Sequence, residues 1–342
     1  MRAMVLRQIG PLQEHSNVLD LQYMDTPVPG PHELLIEVSA CGVCHTEIDE
    51  IEGRTPPPRL PVILGHQVVG RVRSTGDRVT RFRAGDRVGV AWIFSSCGHC
   101  AFCRDGKENL CREFLATGRD ANGGYAEFMT AQEDFAYAIP PAFTDGEAAP
   151  LLCAGAIGYR SLRLSGLRNG QTLGLTGFGA SAHLVLKMAR QRFPQSRVFV
   201  FARSESERTF ARELGASWAG DSTEKTPEPL HCIIDTTPIW QSIVEGLKNL
   251  EPGGRLVVNA IRKEDADKKA FQNLDYAEHL WMEKEIKSVA NVTRADVEEF
   301  LSLAAEIPIK PEIREFPLTG ANRALWELKS RLIRGAKVLR MP

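Results

Sequence analysis

Gln171-Thr172-Leu173-Gly174-Leu175-Thr176-Gly177-Phe178-Gly179-Ala180-Ser181-Ala182 is the stretch whose reading decides the fold. Its first half reads as a buried strand, and Ser181 to Gln191, with Leu184, Val185, Met188 and Ala189 apolar, reads as a helix. Between them Gly177, Gly179 and Ala182 match G-x-G-x-x-A, the turn from strand to helix in dinucleotide-binding βαβ units. Gly177 permits the tight turn, Gly179 lets a pyrophosphate approach the backbone, and Ala182 lets helix pack closely on strand. The helix N-terminus then stabilises the negative charge, with Phe178, Ala180 and Ser181 completing the candidate cofactor loop.

The chain on either side extends this pattern. Arg197–Phe201, His231–Asp235 and Gly254–Val258 read as further strands and Glu205–Leu214 as a helix, which predicts a parallel sheet covered on both faces. Upstream, Ala148–Leu164 reads as one continuous helix. Residues before it are β-rich: Val18–Tyr23, Glu33–Val38 and the segment from Val62 to Val72 are short runs set off by Pro and Gly. Helices over 295–306 and 321–332 and a last strand over 336–339 end the chain. At 342 residues it is long enough for two domains, since domains usually run about 100–200 residues.

About 20 residues after the glycines, NAD-binding domains place Asp or Glu on the ribose hydroxyls. Here the strand ends Phe201-Ala202-Arg203-Ser204. A carboxylate would repel a 2′-phosphate, whereas Arg203 can pair with one and Ser204 can hydrogen-bond to it. The expectation is NADP(H), with NAD(H) as the alternative.

Cysteine spacing points to metal. Cys97, Cys100, Cys103 and Cys111, in C-x2-C-x2-C-x7-C, can surround one zinc tetrahedrally with no open position. An iron–sulfur cluster is the competitor, but the run lacks a fourth Cys before Pro and a second Cys-rich half. Cys44, His66 and Cys153 make a second set of three, and zinc with three protein ligands keeps one position open for water or substrate. Beside Cys44, His45 can donate to a phosphate and Thr46 can pass a proton. Cys41 and Cys232 read as buried thiols.

Apolar content of 43%, charged content of 25% and net charge −1 fit an ordinary globular protein and give no basic footprint for nucleic acid. No run approaches the roughly 18 apolar residues of a membrane span, and the N-terminus has no secretory pattern, so the expected location is the cytoplasm.

Gly42-Val43-Cys44-His45-Thr46, Gly65-His66, the four-Cys lobe, Cys153-Ala154-Gly155, the glycine loop and Glu251-Pro252-Gly253-Gly254-Arg255 together resemble the zinc-dependent medium-chain alcohol dehydrogenases over essentially the whole chain. The resemblance implies an α/β fold: a Rossmann doubly wound parallel sheet over 155–287, inserted into a β-rich GroES-like catalytic domain of residues 1–154 and 288–342 with a structural zinc lobe at 95–113. It implies two zinc ions, one catalytic on Cys44, His66 and Cys153 and one structural on Cys97, Cys100, Cys103 and Cys111. His45 resembles the residue that approaches the cofactor pyrophosphate, Thr46 the hydroxyl that starts the proton relay, and Glu47 the carboxylate that orients the zinc-binding His.

Three positions depart from the family pattern. Gln67 stands where a Glu commonly follows the zinc His, Asp49 where many members have the His that ends the relay, and Ile157 where Thr is common near the nicotinamide. Asp49 or solvent is then the proton's last acceptor. Trp92 matches a bulky position that narrows the substrate channel, so the expected substrates are small primary alcohols and aldehydes. The alternatives are a polyol, secondary-alcohol or cinnamyl-type dehydrogenase of the same fold, and a non-catalytic NADPH-binding module. Relatives pair through the cofactor domain, so a homodimer or homotetramer is expected.

Overall fold

The computed structural model describes residues 1–307, 309–330 and 335–342. The chain divides into two units: Met1–Ala156 with Asn291–Pro342, and Ile157–Ala290.

The first unit is built on a seven-stranded sheet. Ala136–Ala138, Arg87–Val90, Gln67–Thr75, Glu33–Val43, Ala336–Arg340 and Ile313–Pro317 follow one another across it, and Phe128–Gln132 also pairs with Glu33–Val43. The long Glu33–Val43 strand holds the centre because Leu34, Ile36, Val38, Ala40 and Cys41 are all buried. The C-terminal strand lies antiparallel to its far end, Val338 opposite Gly42, so the last residues of the chain flank the approach to Cys44. A three-stranded sheet of Leu19–Tyr23, Arg2–Leu6 and Val62–Ile63 and a two-stranded ribbon of Ile93–Ser95 and Leu115–Ala116 complete the β structure. Leu6, Leu12, Ile51, Leu64, Tyr125 and Met129 are essentially inaccessible, each buried side chain of this kind contributing about 1.5–3 kcal/mol.

The second unit carries a six-stranded sheet, every neighbouring pair parallel, in the order Trp218–Gly220, Arg197–Phe201, Thr172–Thr176, Leu230–Asp235, Leu250–Val258, Glu285–Ser288. Numbered along the chain this order is 3-2-1-4-5-6, the doubly wound order, with its switch point between Thr172–Thr176 and Leu230–Asp235. The strands Thr172–Thr176, Arg197–Phe201 and Leu230–Asp235 are rich in Val, Ile, Leu and Phe because both their faces are covered. No helix of the described residues is long and apolar enough to cross a membrane.

The expected single helix over 148–164 is three pieces: Asp145–Pro150, a π turn Leu151–Gly155, and Ala156–Ser165. Pro150 has no N–H to give the preceding turn, and the wider π turn absorbs that break. The helix expected over 321–332 spans Ala321–Lys329, and positions 331 and 332 lie outside the described residues. The strands Trp218–Gly220 and Glu285–Ser288 were not read from the sequence.

Gly155 ends the π turn against the Phe300 ring, where an added Cβ would lie 2.6 Å from Cζ. Gly155→Ala is therefore expected to cost about 1–3 kcal/mol by overpacking, read as a lower urea midpoint with unchanged slope.

Candidate metal centre and dinucleotide loop

The Glu33–Val43 strand delivers Cys44 to the N-cap of a short helix, His45–Ile51. The Glu47 carboxylate closes that cap by accepting the Cys44 backbone N–H at 2.7 Å through Oε2. Its other oxygen, Oε1, lies 2.6 Å from His66 Nδ1. Glu47 is 0% exposed and His66 1%, so the contact is shielded from water. With Nδ1 facing Glu47, Nε2 faces the other way, 3.3 Å from Cys153 Sγ. Cys153 sits on the π turn, a distortion frequent at functional sites.

The Cys44, His66 and Cys153 ligand atoms all lie within 4.8 Å of one another. Tetrahedral zinc, with Zn–S of about 2.3 Å and Zn–N of about 2.0 Å, needs ligand atoms about 3.5–3.8 Å apart, so the trio fits. The hydrogen bond from Cys153 brings the Cys44 thiol well below its ordinary range, while giving that proton and being buried push Cys153 well up. Burial pulls the His66 imidazole down, but Glu47 and Cys44 together hold it well above its ordinary value. A divalent cation binding both sulfurs displaces the shared proton.

The neighbouring residues divide by exposure. His45 is exposed, while Thr46 is 9% exposed with Oγ1 3.6 Å from Cys44 Sγ. Asp49 is buried and accepts from Arg54 Nε at 2.6 Å, so this carboxylate already has a cationic partner. Gln67 is buried against Gly42, Ile157 is half-buried, and Trp92 packs its ring 5.4 Å from that of Phe114. The sequence reading did not single out Glu50, which is 1% exposed with no hydrogen-bond partner on either oxygen among the described residues. It stands three residues after Glu47 on the same helical face, which is the signal that could have found it.

Cys97, Cys100, Cys103 and Cys111 also converge within 4.8 Å. Backbone N–H groups of His99 and Cys100 bring the Cys97 thiol down to about 6. His99 is exposed, its Nδ1 2.7 Å from the Cys97 carbonyl. Buried Glu108, inside this lobe, accepts the Arg294 backbone N–H at 2.6 Å and ties the lobe to the helix Arg294–Glu306.

In the second unit, Gly177 has φ +79°, and an added Cβ would meet Thr236 Oγ1 at 2.8 Å. Gly179 caps the helix Ala180–Arg192 and has open space around it, with no acidic side chain in the first turn. A helix start of this kind suits an anion. Phe178 and Ala182 are buried, and Ser181 Oγ accepts from Asn259 Nδ2 at 3.4 Å. His183 is buried beneath the loop, its Nδ1 3.1 Å from the Gly179 carbonyl, and burial keeps it neutral by lowering its pKa to about 4.

At the end of the next strand, Ser204 caps the helix Glu205–Glu213, accepting the Glu207 N–H at 3.2 Å and donating to Glu207 Oε2 at 2.8 Å. Arg208 donates to the Ala202 carbonyl and pairs with Glu205. Arg203 is exposed, and none of the described contacts ties its guanidinium. Of the groups at this strand end, Arg203 is the cation free to meet a ligand.

The alcohol dehydrogenase GroES-like domain family is matched by residues 30–141. A probable alcohol dehydrogenase AdhA of Mycobacterium tuberculosis is 41% identical over 344 residues, 99% of this chain and 97% of the relative. An alcohol dehydrogenase of Geobacillus stearothermophilus is 30% identical over 96% of this chain and 98% of its own. The solved structure of a cobalt- and zinc-bound thermostable alcohol dehydrogenase from Pyrobaculum aerophilum matches with a TM-score of 0.88 at 25% identity, covering 99% of each chain.

Glu47→Gln keeps the shape but weakens the hold on the His66 ring. Zinc retention at the Cys44, His66 and Cys153 site should fall roughly 10–100-fold, measured by competition with a chromophoric chelator.

Proposed function

Because the chain belongs to the zinc-dependent medium-chain alcohol dehydrogenase family, we propose that it transfers hydride between NADP(H) and a small primary alcohol or aldehyde, with two zinc ions per chain. The observation that carries this reading is the convergence of Cys44, His66 and Cys153 with Glu47 behind the ring. A non-catalytic binder has no need of three ligands that leave a fourth position open.

Cys44, His66 and Cys153 hold the catalytic zinc, and Cys97, Cys100, Cys103 and Cys111 the structural one. Bound there, the catalytic ion supplies Lewis-acid polarisation of the substrate oxygen. Thr46 is the hydroxyl that takes up or returns the proton of that oxygen. Since Asp49 is engaged by Arg54, solvent is the better final acceptor of the two considered. The backbone N–H groups from Gly179 onward at the helix start donate to the pyrophosphate. Trp92 narrows the channel to short substrates.

Arg203 sets the cofactor preference. Glu205, lowered to about 2 by Arg212 and Arg208, is already neutralised by those two arginines and does not oppose a phosphate at Arg203. The test is initial rates with butanal on a preparation shown by metal analysis to carry two zinc ions per chain. NADPH should be preferred over NADH, and Arg203→Ala should cut kcat/KM for NADPH by about 10–100-fold while leaving NADH little changed. NADH preference in the unaltered chain would overturn the Arg203 assignment, and no turnover with either dinucleotide would overturn the reading itself.

We also propose a homo-oligomer paired through the edge strand Glu285–Ser288. All four of its residues are exposed, and Tyr276, Trp281 and Met282 just before it are exposed as well. An open edge beside apolar side chains is a template for a second copy. Light scattering should show an even-numbered assembly, with Ile286→Lys shifting it toward monomer.

A further inference from the structure

Beyond the loop that meets the pyrophosphate, the carboxyl edge of the parallel sheet holds a buried ion pair with no counterpart in the motifs. Asp235, the last residue of its strand, is 0% exposed, and the side chain of Lys263 is 7% exposed. Their charged groups are in direct contact. Asp235 also accepts the hydroxyls of Thr176 at 2.7 Å, Thr237 at 2.8 Å and Ser242 at 3.0 Å. The Lys263 ammonium spends its remaining donors on the carbonyls of Thr237 at 2.8 Å and Ile239 at 3.0 Å. A buried lysine with all three donors engaged has no proton or charge left for a substrate, so its work is mechanical.

What it holds is specific. Residues 236–240 follow Asp235 directly and lie across the switch point from the glycine loop: Thr236 N–H donates to the Thr176 carbonyl, and Thr236 is what a Cβ on Gly177 would strike. The segment that carries Lys263 repeats the tie. Asn259 N–H donates to the Asp235 carbonyl and its side chain to Ser181 of the glycine-loop helix, while Glu264 N–H donates to the Pro238 carbonyl. Asp267 accepts the N–H groups of Trp240 and Gln241. Three loops at the carboxyl end of the sheet are thus laced together, with the Lys263 ammonium buried among them.

We infer that Lys263 and Asp235 are positioning residues that hold the 236–240 loop against the glycine loop in the form that receives the dinucleotide. Without the ammonium, two carbonyls lose their donor and the loop must be ordered again on each binding event, at the expense of affinity. The inference rests on the dinucleotide reading of the glycine loop.

The experiment is equilibrium binding of NADPH by tryptophan fluorescence, with no substrate present, on the zinc-loaded chain. Lys263→Met should weaken binding by about tenfold or more with zinc content unchanged. Because the single variant leaves a buried carboxylate without its cation and loses thermal stability, the double variant Asp235→Asn/Lys263→Met is measured beside it. The double variant should regain much of the melting temperature and still bind NADPH weakly, since Thr237 and Ile239 remain untied. Affinity within twofold of the unaltered chain in either variant, or affinity that returns together with stability, overturns the positioning role. If the unaltered chain binds neither NADPH nor NADH, the dinucleotide reading falls first and the inference with it.

Discussion

One buried carboxylate governs the first unit. Glu47 cannot be left without partners at zero exposure, because an isolated ionised group there is far too costly. It meets two partners at once, the Cys44 amide by a hydrogen bond and the His66 ring as an ion pair, so the start of a helix and the aim of an imidazole become a single condition. Cys44 is brought by the central strand and His66 by a loop entering the next strand, whose register against the first places Gln67 opposite Gly42. Cys153 comes from the π turn more than eighty residues on. The sheet holds the two ends of the carboxylate's reach at fixed separation, and the carboxylate turns that separation into an orientation.

The second unit meets its requirement with backbone geometry and polar lacing. Parallel strands end with their loops on one edge, and the order of the strands opens a crevice where the connections part. Gly179 has open space around it, so the stiffness of the glycine loop has to come from neighbours. The hydroxyls of Thr176, Thr237 and Ser242, gathered on Asp235, and the ammonium of Lys263 supply it. Rigid floor and open lip are compatible because different residues make them.

The parts legible in the sequence are those whose chemistry admits few residue types. Metal ligands come from Cys and His, and the pyrophosphate turn needs Gly where φ is positive, so both centres could be picked out by spacing. The strands over 197–201 and 231–235 were legible because both faces are apolar. By contrast Glu285–Ser288 is exposed on all four positions and has neither alternation nor an apolar run, so nothing marks it as a strand until its neighbour pairs with it. The pairs Asp49–Arg54, Asp235–Lys263 and Glu108–Arg294 are separated by 5, 28 and 186 residues, and no local pattern announces any of them. Ser204, expected to hydrogen-bond a phosphate, also closes a capping box, a use the S-x-x-E spacing from Ser204 to Glu207 does announce.

The substitutions around the metal centre make sense as a balance of charge. Two thiolates, a neutral imidazole and a divalent cation would sum to zero, and Glu47 stands behind the His66 ring at 0% exposure. Gln67 withholds a further carboxylate from the position after His66, yet Glu50 places a carboxyl on the helix that carries Glu47. Burial, and after it the charge of Glu47, push the Glu50 carboxyl well up toward its protonated form. A protonated carboxyl adds no charge and offers a donor as well as an acceptor. The helix of Glu47 therefore carries a second buried carboxyl, Glu50, whose ionisation is disfavoured by burial and by Glu47.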